Sequence, residues 1–250
     1  MNMKKSIKHS LDPVLFAKEA LHFNPDKWQE EVLRYEGDKM ILNCCRQAGK
    51  STITAVKALH RVLFFPGSLV LLISASMRQS SELFKKVTTE LNKLPDQPKR
   101  VEDNRLSLTL ATGSRLVSLP STEATVRGFS GPSLVVIDEA SRVSDDLYFS
   151  IRPMLAVSGG QMILLSTPFG KRGFFHETWL NGGDSWKQIL ITAENCPRIS
   201  PEFLEEEHRT LGDWWFEQEY YCEFKEAVDS LFTYDDVQDS LSEEVEPLNI

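Results

Sequence analysis

A short apolar run that ends in a polar loop and then opens a long helix constrains this chain more than any other stretch. Residues 40–52 read Met-Ile-Leu-Asn-Cys-Cys-Arg-Gln-Ala-Gly-Lys-Ser-Thr, that is, a strand, a tight turn and a helix beginning at Gly49-Lys50-Ser51. A phosphate-binding loop requires this setting, because consecutive backbone N–H groups and the positive helix end converge on one point. The candidate ATP-binding residues are then Cys45, Arg46, Gln47, Ala48, Gly49, Lys50, Ser51 and Thr52. Lys50 carries a point charge to the β/γ oxygens, and the Ser51 hydroxyl is placed to ligate Mg²⁺. The usual first glycine of such a loop falls at Cys44. A Gly-rich turn opening an ordinary helix is the plainer alternative.

The remaining chain alternates strands with helices. Met40–Cys44 is a core strand, and Leu69–Ser74, Ser133–Asp138 and Gln161–Ser166 are continuous apolar runs, as strands covered on both faces are. Residues 105–119 alternate apolar and polar positions around Gly113 and read as a hairpin, and Trp186–Thr192 as a further strand. Helices are expected at Pro13–Phe23, after an Asp26 cap, at Ser51–Phe65, 78–94, Asp145–Leu155 (interrupted at Pro153), Gly173–Leu180, Ser200–Leu211 and Asp213–Phe224. Pro95–Arg100 reads as a loop. The alternation predicts an α/β fold, a mostly parallel sheet covered by helices, with ligands at the carboxyl ends of the strands.

Leu134-Val-Val-Ile-Asp138-Glu139 is the second chemical motif. Four apolar β-formers deliver Asp138 to a strand end, where it can hold Mg²⁺ beside Ser51, while Glu139 is the candidate catalytic carboxylate that orients or deprotonates a water. Ser166, Thr167 and Pro168 end another buried strand, where hydroxyls can sense loss of a γ-phosphate; an ordinary Thr-Pro turn explains them equally well. Gln29, shortly upstream of the loop, carries an amide able to bond N6 and N7 of adenine. Taken alone it is more simply a solvated helix glutamine.

These motifs together, with Trp28-Gln29, Cys45–Ser51, Arg127-Gly128, Leu134–Ala140, Ser166-Thr167-Pro168 and Trp215–Tyr220, resemble the large terminase subunit of tailed bacteriophages over about residues 22–235. The resemblance implies a RecA-like P-loop NTPase of the ASCE type: a Mg²⁺-dependent ATPase that drives double-stranded DNA through a portal into a procapsid. It assigns Gln29 to adenine, Arg46, Lys50 and Ser51 to phosphates and Mg²⁺, and Asp138 to Mg²⁺. Glu139 becomes the catalytic residue, Ser166–Pro168 the coupling motif, and Arg127 an arginine supplied in trans to a neighbouring subunit, with Arg142 and Arg152 as rivals. It implies portal protein and small terminase subunit as partners, a ring-forming homo-oligomer when assembled, and the host cell cytoplasm. A monomer stays open for the isolated chain.

On this reading residues 1–23 are a helical lead-in, 24–200 the ATPase core, 201–235 a helical lid or linker and 236–250 an acidic tail. Large terminases continue into a nuclease of clustered aspartates; no such domain is expected here, nor DNA cutting. A helicase-like ATPase or an ATP-binding regulatory switch is the alternative.

Composition decides less. The net charge of −8 is uneven: residues 1–201 hold 26 basic and 20 acidic side chains, residues 202–250 hold 2 and 16. A basic body with an acidic end is compatible with DNA, at Lys85, Lys86, Lys93, Lys99 and Arg100 for instance, or with solvated faces alone. No run reaches the ~18 apolar residues of a membrane span. Cys44, Cys45, Cys196 and Cys222 lack CxxC spacing and read as reduced thiols.

Overall fold

Strands apolar at both odd and even positions have to be covered on both faces, and this chain stacks them into one sheet between two helical layers. The computed structural model describes residues 3–121, 126, 128–226 and 240. Among these, the strands are β1 (Lys39–Cys44), β2 (Leu69–Ser74), β3 (Arg100–Asp103), β4 (Ser107–Leu110), β5 (Arg115–Pro120), β6 (Leu134–Asp138), β7 (Gln161–Ser166) and β8 (Lys187–Ile191). The helices are α1 (Met3–Leu11), α2 (Pro13–Ala20), α3 (Lys27–Arg34), α4 (Lys50–Phe64), α5 (Met77–Asn92), α6 (Asp145–Ser158), α7 (Gly173–Asn181) and α8 (Pro201–Tyr220). Arg127 and, apart from Ser240, the tail 236–250 lie outside the described residues.

Spatial order in the sheet is β3-β4-β5-β2-β6-β7-β1-β8. From β5 to β8 every neighbouring pair is parallel, and β3 and β4 add an antiparallel edge. Because side chains alternate across a strand, Met40 and Leu42 of β1 join Val14, Phe16, Ile53 and Leu59 on one face, while Ile41 joins Leu147, Ile151 and Phe175 on the other. Register sets the site: Ser74 pairs with Asp138, Asp138 with Leu165, and Asn43 with Ser166. The carboxyl ends of β2, β6, β7 and β1 therefore finish at one level.

Three expectations needed correction. Arg100 opens strand β3 instead of closing a loop; β3 is exposed and charged, so it shows none of the apolar alternation that marks a strand. Helix α6 continues through Pro153 to Ser158. Pro153 is exposed, so the Phe149 carbonyl that loses its partner there opens toward water. Phe224 lies beyond α8, which ends at Tyr220. The expected break between 211 and 213 is present, at Gly212, whose φ of 74° and ψ of 166° only glycine adopts readily.

Candidate active site

The loop after β1 turns through two left-handed residues, Gln47 (φ 60°) and Gly49 (φ 89°), and Gly49 is the N-cap of α4. The turn throws Lys50 and Ser51, the first residues of α4, toward the end of β6. There Ser51 Oγ donates to Asp138 Oδ2 at 3.0 Å, and Lys50 Nζ lies 3.4 Å from Glu139 Oε1. Two motifs far apart in the chain thus meet in one pocket of about 330 Å³, lined also by Arg46, Thr167 and Glu219.

The charges at this meeting shift one another. Burial raises the Asp138 pKa, the neighbouring Glu139 carboxylate adds to the shift, and Lys50 and the Ser51 hydroxyl only partly offset it. Burial opposes the charge on Lys50 too, but Glu139 and Asp138 outweigh it and lift its pKa above the ordinary lysine value. Glu139 itself sits at φ 53°, a left-handed conformation that costs a non-glycine residue about 1 kcal/mol or more and concentrates at working sites. Its backbone N–H donates to Asp138 Oδ1 at 3.0 Å, which fixes the Asp138 carboxylate at the strand end.

From Glu139 a hydroxyl chain runs to β7. Ser166 Oγ is 3.4 Å from Glu139 Oε2 and 2.7 Å from Ser141 Oγ, while Ser141 Oγ donates to the Thr167 carbonyl at 2.9 Å. Ser141 spends its one proton on Thr167, so Ser166 is the donor to Ser141 or to Glu139. Sequence reading missed Ser141, whose only signal is its place two residues beyond Glu139. It missed Glu219 as well: this nearly buried carboxylate of α8 faces Arg46 at 3.6 Å, and its carbonyl accepts the Arg46 N–H at 3.1 Å. Glu219 lay in the quoted aromatic segment but without a role.

Gln29 is buried at 1% exposure, behind the loop and not beside open solvent. Its Oε1 accepts the Asp26 N–H at 3.0 Å, closing the first turn of α3. Arg142 lines the pocket and lies 4.0 Å from the centre of the Phe169 ring. Arg152 does not reach the pocket; with Lys39, Tyr148 and Trp186 it lines a cavity of about 500 Å³ at the opposite end of the strands. Of the basic surface candidates, Lys93 pairs with Glu90 at 2.7 Å and Arg100 with Asp103 at 2.7 Å. All four cysteines are free and buried, and no described helix is long and apolar enough to cross a membrane.

Oxygen ligands from a hydroxyl and a buried carboxylate, 3.0 Å apart, fit a hard divalent cation such as Mg²⁺.

Residues 41–239 match the family described as terminase large subunit, T4-like-virus type, N-terminal. The terminase large subunit of Thermus phage G20c is 25% identical over 252 residues, covering 86% of this chain and 52% of the relative. This chain thus spans about half the length of the curated relatives it matches. Among solved structures, the large terminase ATPase domain of Thermus phage P74-26 superposes with a TM-score of 0.76 at 21% identity, covering 86% of this chain and 99% of that one. The large terminase of another thermophilic bacteriophage, solved with ADP, gives 0.64 at 12% identity over 89% of this chain and 53% of that one; it has also been solved with ATP-γ-S. The fold is the RecA-like P-loop fold of these domains.

Proposed function

We propose that this chain, which belongs to the terminase large-subunit family, is the ATP-hydrolysing motor domain of a machine that drives double-stranded DNA into a viral procapsid. The observation that carries the reading is the meeting of Lys50 with Glu139 at 3.4 Å in the pocket, beside the Ser51–Asp138 bond at 3.0 Å. The ADP and ATP-γ-S complexes of the thermophilic bacteriophage protein support a nucleotide as its occupant.

In this scheme the loop 45–52 takes the polyphosphate through the N–H groups of residues 47–51 and the side chains of Arg46 and Lys50, the Cys45, Arg46 and Thr52 N–H groups being spent on the Ile191, Glu219 and Gly49 carbonyls. Ser51 and Asp138 would hold Mg²⁺, which would supply positive charge to the phosphates. Gln29 contacts adenine through its side-chain amide. Phosphate draws Lys50 away from Glu139, and the freed carboxylate accepts a proton from the attacking water. Ser166, Thr167 and Pro168 register the loss of the γ-phosphate through the hydroxyl of Ser141. Arg127 acts in trans on a neighbour's nucleotide in a ring of copies, with residues 24–200 as core, 201–235 as lid and 236–250 as tail. DNA, portal protein and small terminase subunit are the partners, in the host cytoplasm.

Glu139→Gln tests the assignment, since an amide cannot take the proton. Nucleotide binding should persist while turnover falls by about 10²–10⁴-fold. Hydrolysis at the parent rate would remove Glu139 from the chemistry.

A further inference from the structure

The phosphate loop is gripped from behind by a residue that no sequence motif marks. Arg198 lies in the turn between β8 and α8. One of its terminal nitrogens donates to Asp26 Oδ2 at 2.7 Å; the other donates to the Ala48 carbonyl and lies 3.7 Å from Cys196 Sγ. Cys196 Sγ in turn faces the Gln47 carbonyl at 4.0 Å. Two successive loop carbonyls therefore point backward, into this turn.

That direction matters because the peptide bond is planar and trans. When a carbonyl points one way, the N–H of the next residue points the other. Backward carbonyls at Gln47 and Ala48 aim the N–H groups of Ala48 and Gly49 away from Arg198, toward the side on which the pocket opens. The fit is close: a Cβ on Gly49 would stand 3.0 Å from Gln29 Nε2 and 3.4 Å from the Arg198 guanidinium. Asp26, the other end of the brace, is the N-cap of α3, and its N–H is held by Gln29.

We infer that Arg198 is a positioning residue for nucleotide binding: it locks the Ala48 peptide plane so that the following N–H, that of Gly49, faces the phosphates, while Cys196 stands behind the Gln47 carbonyl, and it ties the loop to Asp26 at the start of α3. The planar fork suits this task, since it presents two donors at fixed angles to a carbonyl and a carboxylate at once; an ammonium is a single point on a flexible stem. The inference rests on the reading of the pocket as a nucleotide site, and the test separates the two.

Binding of a fluorescent ADP analogue and steady-state ATP hydrolysis are measured for the parent, Arg198→Lys and Arg198→Ala, with thermal melts of each. If the parent binds no nucleotide, the reading of the pocket fails and Arg198 with it. If the parent binds, Arg198→Ala should lose affinity and raise KM on the order of 10-fold or more, the size seen when a supporting residue behind ligating groups is removed. Its kcat at saturating ATP should stay within about 3-fold of the parent, because the groups that meet the water are untouched. Arg198→Lys should recover only part of the affinity, and millimolar guanidinium should restore binding to Arg198→Ala. Should Arg198→Ala fail to fold, the comparison of folded Arg198→Lys with the parent decides alone. A folded Arg198→Ala with parent affinity, a folded Arg198→Lys with parent affinity, or a loss in kcat without a change in KM would each overturn the assignment.

Discussion

Helix α4 buries two lysines, Lys50 at 9% and Lys57 at 6% exposure, and uses them in opposite ways. Seven positions apart, they lie two turns from each other on about the same side of the helix. Lys50 faces carboxylates and is held more firmly charged than an ordinary lysine. Among the described residues, Lys57 faces no carboxylate within bonding distance. Its Nζ donates to the carbonyls of Val32, Leu33 and Tyr35 at 3.0, 3.0 and 2.8 Å, and burial brings its pKa down to about 7. These are the last carbonyls of α3 and its cap, which the helix cannot satisfy itself. The contrast teaches that burial does not decide what an interior cation does. Its acceptors do: carboxylates a ligand can displace make an exchangeable site, and backbone carbonyls nothing displaces make a rivet.

Replacing each lysine by methionine should separate the two ends. Lys50→Met should lower turnover by about 10²–10³-fold, the loss expected when one donor to developing charge is removed, with the fold retained. Lys57→Met leaves three carbonyls short of a donor in the core, though Tyr35 keeps a bond from Gln161 at 3.2 Å. About 3 kcal/mol of stability should be lost in urea titrations, in the range for orphaned buried acceptors, with nucleotide affinity of the folded fraction unchanged. Loss of nucleotide binding by folded Lys57→Met would erase the distinction.

Acid should attack the back end first. His60, near the end of α4, has its Nε2 at 2.8 Å from the His9 carbonyl and packs beside Phe16 and Phe64. Burial pushes its pKa down to about 4, with Lys57 and Arg61 adding to the shift and the His9 carbonyl and Asp12 opposing it. The folded value lies below the ordinary histidine value, so the unfolded chain takes up the proton first. The His60 contribution to stability is full above about pH 6.5 and drains as pH falls toward 4. Between pH 7 and pH 5 the parent should lose about 2 kcal/mol, and His60→Phe should flatten that slope. An unchanged slope in His60→Phe would place the acid sensitivity elsewhere.

What was legible in the chain follows the same division. Lys50, Ser51, Asp138 and Glu139 stand out because each motif is local: a strand, its end and the next turn are contiguous. Helices and buried strands were legible through periodicity, and the Gly212 break through its residue type. Arg198, Ser141, Glu219 and Lys57 were silent, because their partners are brought near only by the fold and no spacing encodes them. Arg198 meets Ala48 and Asp26 from 150 and 172 positions away in the chain. Gln29 was found, but its burial against Gly49 depends on how α3 packs. Strand β3 was missed because charged, exposed residues can pair without any apolar pattern.

The smallest effect is expected halfway between the two lysines. Thr54 is fully buried on α4, and its hydroxyl donates to the carbonyls of Lys50 and Ser51 at 3.1 and 3.2 Å. These carbonyls lie in the first turn, directly behind the side chains that enter the pocket, so the hydroxyl could be thought to set their geometry. Helix bonding argues otherwise. Within α4 both carbonyls are already acceptors for backbone N–H groups four residues on, so the hydroxyl adds a second bond to satisfied oxygens. Thr54→Val keeps the branched shape and orphans no acceptor; it removes a donor together with its own need for a partner. Stability should shift by less than about 1 kcal/mol, and turnover and nucleotide affinity should stay within about 2-fold of the parent, since the Lys50 acceptors are carboxylates that Thr54 does not touch. A drop in turnover of about 10-fold with an unchanged melt would mean that the hydroxyl holds the first turn in register, and that front and back of α4 work as one unit.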